Sequence, residues 1–243
     1  AEQLHQFAEC FRQVNFDDKT FMPCYGLAEN ALAVSFSDEG SGVVVNEVDR
    51  DILEYQGKAV APGAETRAVS TFVAERVVGH ICISGPSLMS GYFGDQVSQD
   101  EIAATGWLDT GDLGYLLDGY LYVTGRIKDL IIIRGRNIWP QDIEYIAEQE
   151  PEIHSGDAIA FVTVQEKIIL QIQCRISDEE RRGQLIHALA ARIQSEFGVT
   201  AAIDLLPPHS IPRTSSGKPA RAEAKKRYQK AYAASLHVQE SLA

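Results

Sequence analysis

The chain has 243 residues, 45% apolar and 23% charged, with a net charge of −12. This is the balance of a soluble globular protein of one large or two smaller domains, and it lacks the basic surface that nucleic-acid binding requires. No apolar run is long enough to cross a bilayer, so no membrane span is expected.

Leu4, Phe7, Ala8, Phe11 and Val14 recur at helical spacing, which predicts an amphipathic helix from the first residues. A pattern already running at residue 1, with no initiator Met and no signal-peptide signature, leads us to expect a chain cut from something longer. Residues 21–30, FMPCYGLAEN, read as a short strand with Met22, Cys24 and Tyr25, a tight turn at Gly26, and a helical start containing Glu29. An aromatic ring, a glycine turn and a carboxylate in that order either place a flat ring and an anion at one cleft or form a strand end with a solvated Glu. Residues 37–42 are a loop, 43–45 a short apolar run, and 46–62 polar and irregular.

Residues 77–84, VVGHICIS, alternate as a strand closed by Gly85-Pro86. In GWLDTGD, residues 106–112, Thr110 and Gly111 are expected to form a turn that presents Asp112. That carboxylate either accepts both hydroxyls of a ribose-like diol or caps its own turn. Residues 113–124 predict a β-hairpin around Asp118-Gly119.

The hairpin leads into residues 125–144, GRIKDLIIIRGRNIWPQDIE. A charged loop precedes a buried strand at residues 131–133, and after a polar turn at Gly135 comes Pro140, suited to the first turn of a helix. Ile143, Ile146 and Ala147 share one face of that helix. Residues 158–164 are a second strand. From Ile168 to Ile176 the apolar residues alternate with Gln171, Gln173 and Arg175, as in a half-buried antiparallel strand. Ser177 with Glu180 forms a capping box for a helix carrying Leu185, Ile186, Leu189, Ile193 and Phe197, stopped by Gly198. A last strand, 202–206, ends at Pro207-Pro208. The order strand, helix, strand, strand, helix, strand predicts one sheet with helices on a face.

Residues 209–221, HSIPRTSSGKPAR, form a polar loop. Lys218, beside a glycine and among hydroxyls, is either an anion grip or a solvated lysine. Pro212 and Pro219 stand where a Walker loop needs Gly and Ser or Thr. The final helix, around 220–234, carries Arg221, Lys225, Lys226, Arg227 and Lys230 as a solvated face, or as a docking surface for an acidic partner. The four cysteines (Cys10, Cys24, Cys82, Cys174) make no C-x-x-C pair, and the six histidines are dispersed, which predicts reduced thiols of a cytoplasmic protein.

Four motifs in this order, YGLAE (25–29), WLDTGD (107–112), GRIKD (125–129) and PRTSSGK (212–218), resemble the adenylate-forming superfamily of acyl-CoA ligases, luciferases and adenylation domains. Ala28, where most members have Thr, and the wording RGRNIWPQDIE look like the fatty acyl-AMP ligases. The resemblance implies a mixed α+β architecture. Residues 1–128 would be the β-rich, C-terminal part of an incomplete AMP-binding domain, and 129–243 a small α+β C-terminal lid domain. It implies activation of a fatty acid with ATP and Mg2+ to acyl-adenylate and pyrophosphate, followed by transfer to an acyl-carrier protein or a polyketide synthase carrier domain. Tyr25, with Gly26 at its turn, would stack on adenine, Glu29 would hold the magnesium, and Asp112 would bind the ribose with support from Arg126. Lys218 would bridge the fatty carboxylate and the α-phosphate, and Lys128 and Asp129 would mark a hinge whose rotation withdraws Lys218 and presents the Gly135 loop. An insertion that restrains this rotation is expected within residues 43–72.

The family's phosphate loop and acyl tunnel have no counterpart in these residues, and family sequence is missing between Phe72 and Val77. A fragment or an internal gap is therefore expected, and the isolated chain should be inactive or nearly so. An acyl-CoA ligase and a non-catalytic binding module are the competing readings.

Overall fold

The computed structural model describes residues 2–61, 76–215 and 217–241. The chain forms two compact units, Ala1–Ile127 and Lys128–Ala243. The expected gap near residue 72, and residues 62–72 of the expected insertion, lie outside the described residues.

The first unit opens with α1 (Glu2–Phe11) and a 3-10 turn, Arg12–Val14. β1 (Cys24–Tyr25) then pairs antiparallel with β2 (Ser35–Phe36). Residues 46–62 are not irregular throughout. They contain α2 (Arg50–Gln56), begun by the Asp49 carboxylate, which accepts the Ile52 N–H at 2.9 Å, and ended by Gly57 at φ +63°. After β3 (Gly79–Ile83) comes a helix not expected from the sequence pattern, α3 (Gln96–Thr105), with Ile102 buried. β4 (Leu108–Leu117) and β5 (Tyr120–Arg126) form the expected hairpin. Its turn residues, Asp118 and Gly119, have φ of 52° and 83°, as a two-residue primed turn requires. Antiparallel β3, β4 and β5 make one sheet in that order. A small core of Ala59, Tyr115 and Leu117 packs with Val48, Leu53, Val78 and Tyr122.

A 3-10 turn, Ile127–Asp129, leads into the second unit. The strand at 131–133 is not part of the expected sheet. Among the described residues β6 (Ile131–Ile133) pairs only with β7 (Arg136–Ile138), a strand in place of the expected turn, through Arg134 and Gly135 at φ 52° and 78°. Ile131 is fully buried but Ile132 is 62% exposed, so this hairpin has one wet face. α4 (Pro140–Glu148), β8 (Ala158–Val162), β9 (Ile168–Gln173), α5 (Glu179–Phe197), β10 (Ala201–Leu206) and α6 (Arg221–Ser241) follow. The sheet order is β10-β9-β8, with β9 parallel to β10 and antiparallel to β8.

β9 is the central strand and is buried on both faces, not half-buried. Ile168, Leu170, Ile172 and Cys174 pack with Ile143 and Ile146 of α4 and Leu185, Leu189, Ile193 and Phe197 of α5. On the opposite face Ile169 joins Ile159, Phe161, Ile211, Ala224 and Tyr228, so α6 covers the side expected to face water. The alternating glutamines are buried there because each finds a partner. Gln171 Nε2 donates to Asp204 Oδ2 (3.0 Å), and Gln173 Nε2 donates to Asp157 Oδ1 (2.6 Å) while its Oε1 accepts the Ile211 N–H (3.2 Å). The cap of α5 is Asp178, accepting the Arg181 N–H at 2.7 Å, in place of Ser177. A carboxylate there also complements the helix dipole. Among the described residues no helix is long and apolar enough to cross a membrane.

Candidate active site

In the first unit the site grows from an irregularity in β4. Opposite β3, Leu113 pairs with His80 but Asp109 pairs with Cys82, so β4 has two more residues than β3 between those pairs. Thr110 and Gly111, expected as a turn between elements, are thus a bulge inside the strand. Gly111 adopts φ +72°. The side chains of DTGD satisfy the backbone that the bulge leaves unpaired. Asp109 Oδ1 accepts the Gly111 N–H (2.9 Å) and its Oδ2 meets His80 Nδ1 (2.8 Å). Thr110 donates its hydroxyl to the Ile81 carbonyl (2.8 Å) and accepts the Asp112 N–H (3.1 Å). Asp109 is held below the usual carboxylate range by His80 first, with a contribution from the Gly111 amide.

The bulge aims Asp112 at two other predicted residues. Asp112 and Arg126 are cross-strand neighbours on β4 and β5, and Arg126 Nε donates to Asp112 Oδ1 at 2.9 Å. From β1 the Tyr25 hydroxyl donates to Asp112 Oδ2 at 2.8 Å. The Asp112 side chain is 14% exposed and that of Arg126 68%, so the acid sits at the base and the guanidinium toward solvent. Burial pushes the Tyr25 phenol up to about 12, with Asp112 adding to the effect, so Tyr25 is a neutral donor. The ring is therefore pinned at its tip. Tyr25 also lines a cleft of about 560 Å3 with Phe36, Tyr120 and Tyr122, whose walls do not include Asp112, Arg126 or Glu29.

Gly26, directly after Tyr25, makes a turn that no side chain fits, since a Cβ there would lie 1.8 Å from the Leu32 carbonyl oxygen. The turn delivers Glu29 in a 3-10 turn, Ala28–Asn30. Glu29 Oε1 accepts the Tyr92 hydroxyl at 2.6 Å, while its backbone carbonyl accepts the Met89 N–H at 2.8 Å. Tyr92 was not anticipated, since 63 residues separate the pair. Its hydroxyl is the chief cause holding the Glu29 carboxyl below its ordinary value of 4.5. The stability from this bond is present above that ordinary value and lost as pH falls through the lowered one. Tyr92→Phe is accordingly expected to raise the Glu29 pKa, read by carboxyl-carbon NMR titration. An unchanged titration would remove Tyr92 from the site.

Among the described residues no three His, Cys, Asp or Glu side chains group as a metal site. Glu29 alone therefore fits a cation only of the kind that takes one carboxylate and completes its shell with phosphate oxygens and water, as Mg2+ does.

The second unit holds the remaining predicted residues. Lys218 is exposed, and among the described residues no side chain or carbonyl bonds its ammonium. Its backbone is tied down: Lys218 N–H donates to Thr214 Oγ1 (3.2 Å) and its carbonyl accepts the Thr214 N–H (2.8 Å). Arg213 anchors the loop to the Gly156 carbonyl (2.8 Å), and Gly217 turns it at φ +80°. Lys128 is exposed, but Asp129 is not a simple loop acid, because its Oδ2 accepts from Arg221 Nη1 at 2.6 Å. Arg221, expected on a solvated face, instead enters the unit. It also donates to Glu144 Oε1 (2.6 Å) and the Ala160 carbonyl (2.9 Å), with its side chain only 16% exposed. Burial pushes the Glu144 carboxyl up, and Arg221 draws it back. Helical spacing alone could not mark Arg221, since its partners are 61, 77 and 92 residues away.

No family model matches the chain. A putative acyl-CoA synthetase of Caulobacter vibrioides is 38% identical over 251 residues, covering 93% of this chain and 44% of that protein. The medium-chain-fatty-acid–[acyl-carrier-protein] ligase JamA of Moorena producens is 30% identical, covering 93% of this chain and 45% of its own length. A solved structure from work on the fatty acyl-adenylate ligases of E. coli and L. pneumophila is 90% identical, with a TM-score of 0.90 over 96% of this chain and 46% of that one. The chain thus spans under half the length of these relatives. By sequence and fold it belongs with the fatty acyl-AMP ligases of the adenylate-forming superfamily and matches a C-terminal portion of them.

Proposed function

We propose that the protein to which this chain corresponds activates a fatty acid with ATP, releasing pyrophosphate and passing the acyl group from acyl-adenylate to an acyl-carrier protein or a polyketide synthase carrier domain in the cytoplasm. The observation that carries the reading is the joining of Tyr25, Asp112 and Arg126 through one carboxylate. A carboxylate offers about four lone-pair sites, and two are used here, leaving two for a ribose diol. The same bonds hold the tip of the Tyr25 ring, whose face would stack on adenine, and leave most of the Arg126 guanidinium for the nucleotide.

Glu29 would hold Mg2+ through the carboxylate oxygen that Tyr92 does not take. When bound, the cation supplies charge neutralisation on the triphosphate. A fatty carboxylate oxygen attacks the α-phosphorus and forms the mixed anhydride as the bond to pyrophosphate breaks. Two anions must approach, so positioning and local positive charge supply most of the acceleration. Lys218 gives that charge between the carboxylate and the α-phosphate. Residues 1–128 would serve as the end of the AMP-binding domain and 129–243 as its lid, with Lys128 and Asp129 as the hinge between half-reactions. The 90% identity to one solved structure from work on fatty acyl-adenylate ligases, and the carrier-protein ligase relative, support this reading.

A second reading, acyl-CoA ligase, is favoured by the Caulobacter relative. The two separate on the acceptor. The full-length parent, given ATP, Mg2+ and a fatty acid, is expected to release pyrophosphate and to acylate a holo carrier protein at least tenfold faster than coenzyme A. The 243-residue chain alone should not turn over. Faster thioester formation with coenzyme A decides for the second reading, and no fatty-acid-dependent pyrophosphate release overturns both.

A further inference from the structure

Arg221 lies three residues after Lys218. Its guanidinium makes three separate contacts: Nη1 to Asp129 at 2.6 Å, Nη2 to Glu144 on α4 at 2.6 Å, and Nε to the Ala160 carbonyl on β8 at 2.9 Å. Glu144 Oε1 also accepts the Ala160 N–H at 2.8 Å, which closes a ring of bonds around the arginine. The side chains of Arg221, Asp129 and Glu144 are 16%, 25% and 13% exposed.

The loop that bears Lys218 ends on this residue. Pro219 bridges to Arg213, the Ala220 N–H donates to the Pro212 carbonyl at 2.8 Å, and the next residue is Arg221, the first of α6. At its other end the loop is held by Arg213, which donates to the Gly156 and Gly217 carbonyls at 2.8 and 3.0 Å and meets Asp157 at 3.3 Å. The loop is thus fastened at both ends to the body of the second unit. Arg221 also ties its exit to Asp129, the acid that opens the unit. Lysine could not replace it, because an ammonium cannot span three acceptors lying in the fixed plane of a guanidinium fork.

We propose that Arg221 is a positioning residue for Lys218: it fixes the exit of the Lys218 loop to Asp129, Glu144 and β8, so that the loop and the start of the unit move as one body. This rests on the catalytic role proposed above for Lys218. A lysine that must meet a carboxylate and a phosphate together has little tolerance, and a misplacement of about 1 Å can cost on the order of a hundredfold in rate.

Two measurements on the full-length parent test it. In the first, Arg221→Gln, Arg221→Lys and Glu144→Gln are compared with wild type in acyl-adenylate formation. Arg221→Gln is expected to lower kcat by about tenfold to a hundredfold with the KM for ATP unchanged, Arg221→Lys to recover little, and Glu144→Gln to lose less. Combined with Lys218→Ala, Arg221→Gln should cost almost nothing further, because groups acting as one unit are not additive. A full additional loss in the double variant, or a raised KM for ATP, would assign Arg221 a general structural role and overturn the proposal.

The second measurement does not depend on the enzyme reading. Amide hydrogen exchange at Gly217, Lys218 and Ala220 should quicken at least tenfold in Arg221→Gln, with β9 amides unchanged. Equal slowing or quickening everywhere, or no change in the loop, overturns the proposal whatever the activity. If wild type makes no acyl-adenylate but the loop amides respond as expected, the reaction assignment fails while the fastening of the loop stands.

Discussion

Lys218→Ala in the full-length parent is expected to lower kcat for acyl-adenylate formation by about a hundred- to a thousandfold, the scale on which removal of one preorganised charge-stabilising group acts. The side chain is exposed and its ammonium has no partner among the described residues, so its loss removes no packing. Surface substitutions of this kind change stability by about 0.5 kcal/mol or less. The fold of the second unit should therefore survive, and the defect should lie in the reaction itself. The KM for ATP should change little, because Tyr25, Asp112 and Arg126 belong to the other unit. Transfer from pre-formed acyl-adenylate to the carrier should persist, since the lysine's proposed partners meet only in the first half-reaction. Lys218→Arg keeps the charge but exchanges a compact ammonium for a broad fork and should recover only part of the rate. A kcat within threefold of wild type for Lys218→Ala would take the lysine out of the mechanism.

The second unit was more legible than the first. Its helices and most of its strands follow from dense isoleucine and leucine patterns, and Gly198 stops α5 at φ +66° as a C-terminal glycine should. What the sequence obscured there was the far face of β9. Period-2 alternation of apolar residues with Gln171 and Gln173 reads as half-wet, yet both glutamines find partners more than a dozen residues away and α6 closes over them. Polar residues with distant partners break the inference from polarity to exposure. Arg221 is the same lesson in charge, a cation at helical spacing among lysines that turns inward because two carboxylates and a carbonyl await it.

In the first unit α2 was missed although Asp49 and Gly57 mark its ends, because only seven residues separate them. The turn expected in WLDTGD is a bulge, since its local hydrogen bonds are those of a turn while the strand continues through it. The motif residues fared differently. Tyr25, Asp112 and Arg126 came together as one bonded group, although 87 residues separate the first two. Their spacing carried no such contact, and the resemblance assigned Tyr25 and Asp112 to different parts of a nucleotide without bonding them to each other. Tyr92, which completes the surroundings of Glu29, belongs to no quoted motif and became visible only in three dimensions. Residues 125–144 began as a charged loop before a buried strand. Arg126 closes on the Asp112 side of the chain's division, and Asp129 is bonded into the second unit.

Asp112→Ala is expected to raise the KM for ATP by about a hundredfold or more. Hydrogen bonds to a charged group contribute about 1.5–3 kcal/mol each, and two to a ribose diol, at tenfold per 1.4 kcal/mol, set that scale. The substitution also strips Tyr25 and Arg126 of their shared acceptor, so the proposed adenine platform loses its pin. kcat should fall as well, because a loosely held ribose presents the α-phosphorus poorly. Asp112→Asn keeps one acceptor oxygen but offers amide donors to groups that themselves donate, and should lie between wild type and alanine. A readout independent of ATP is the Tyr25 phenol. Its raised value of about 12 comes first from burial and then from Asp112, so Asp112→Ala should lower it only part of the way toward 10, as followed by phenolate absorbance. Tyr25's contribution to stability is fully present below the ordinary phenol value and is lost as pH rises through the folded one. In Asp112→Ala that loss begins from a smaller contribution and ends at lower pH. Should neither the KM for ATP nor the Tyr25 titration move, Asp112 would be a bulge residue that caps its own strand, and the nucleotide would need another anchor.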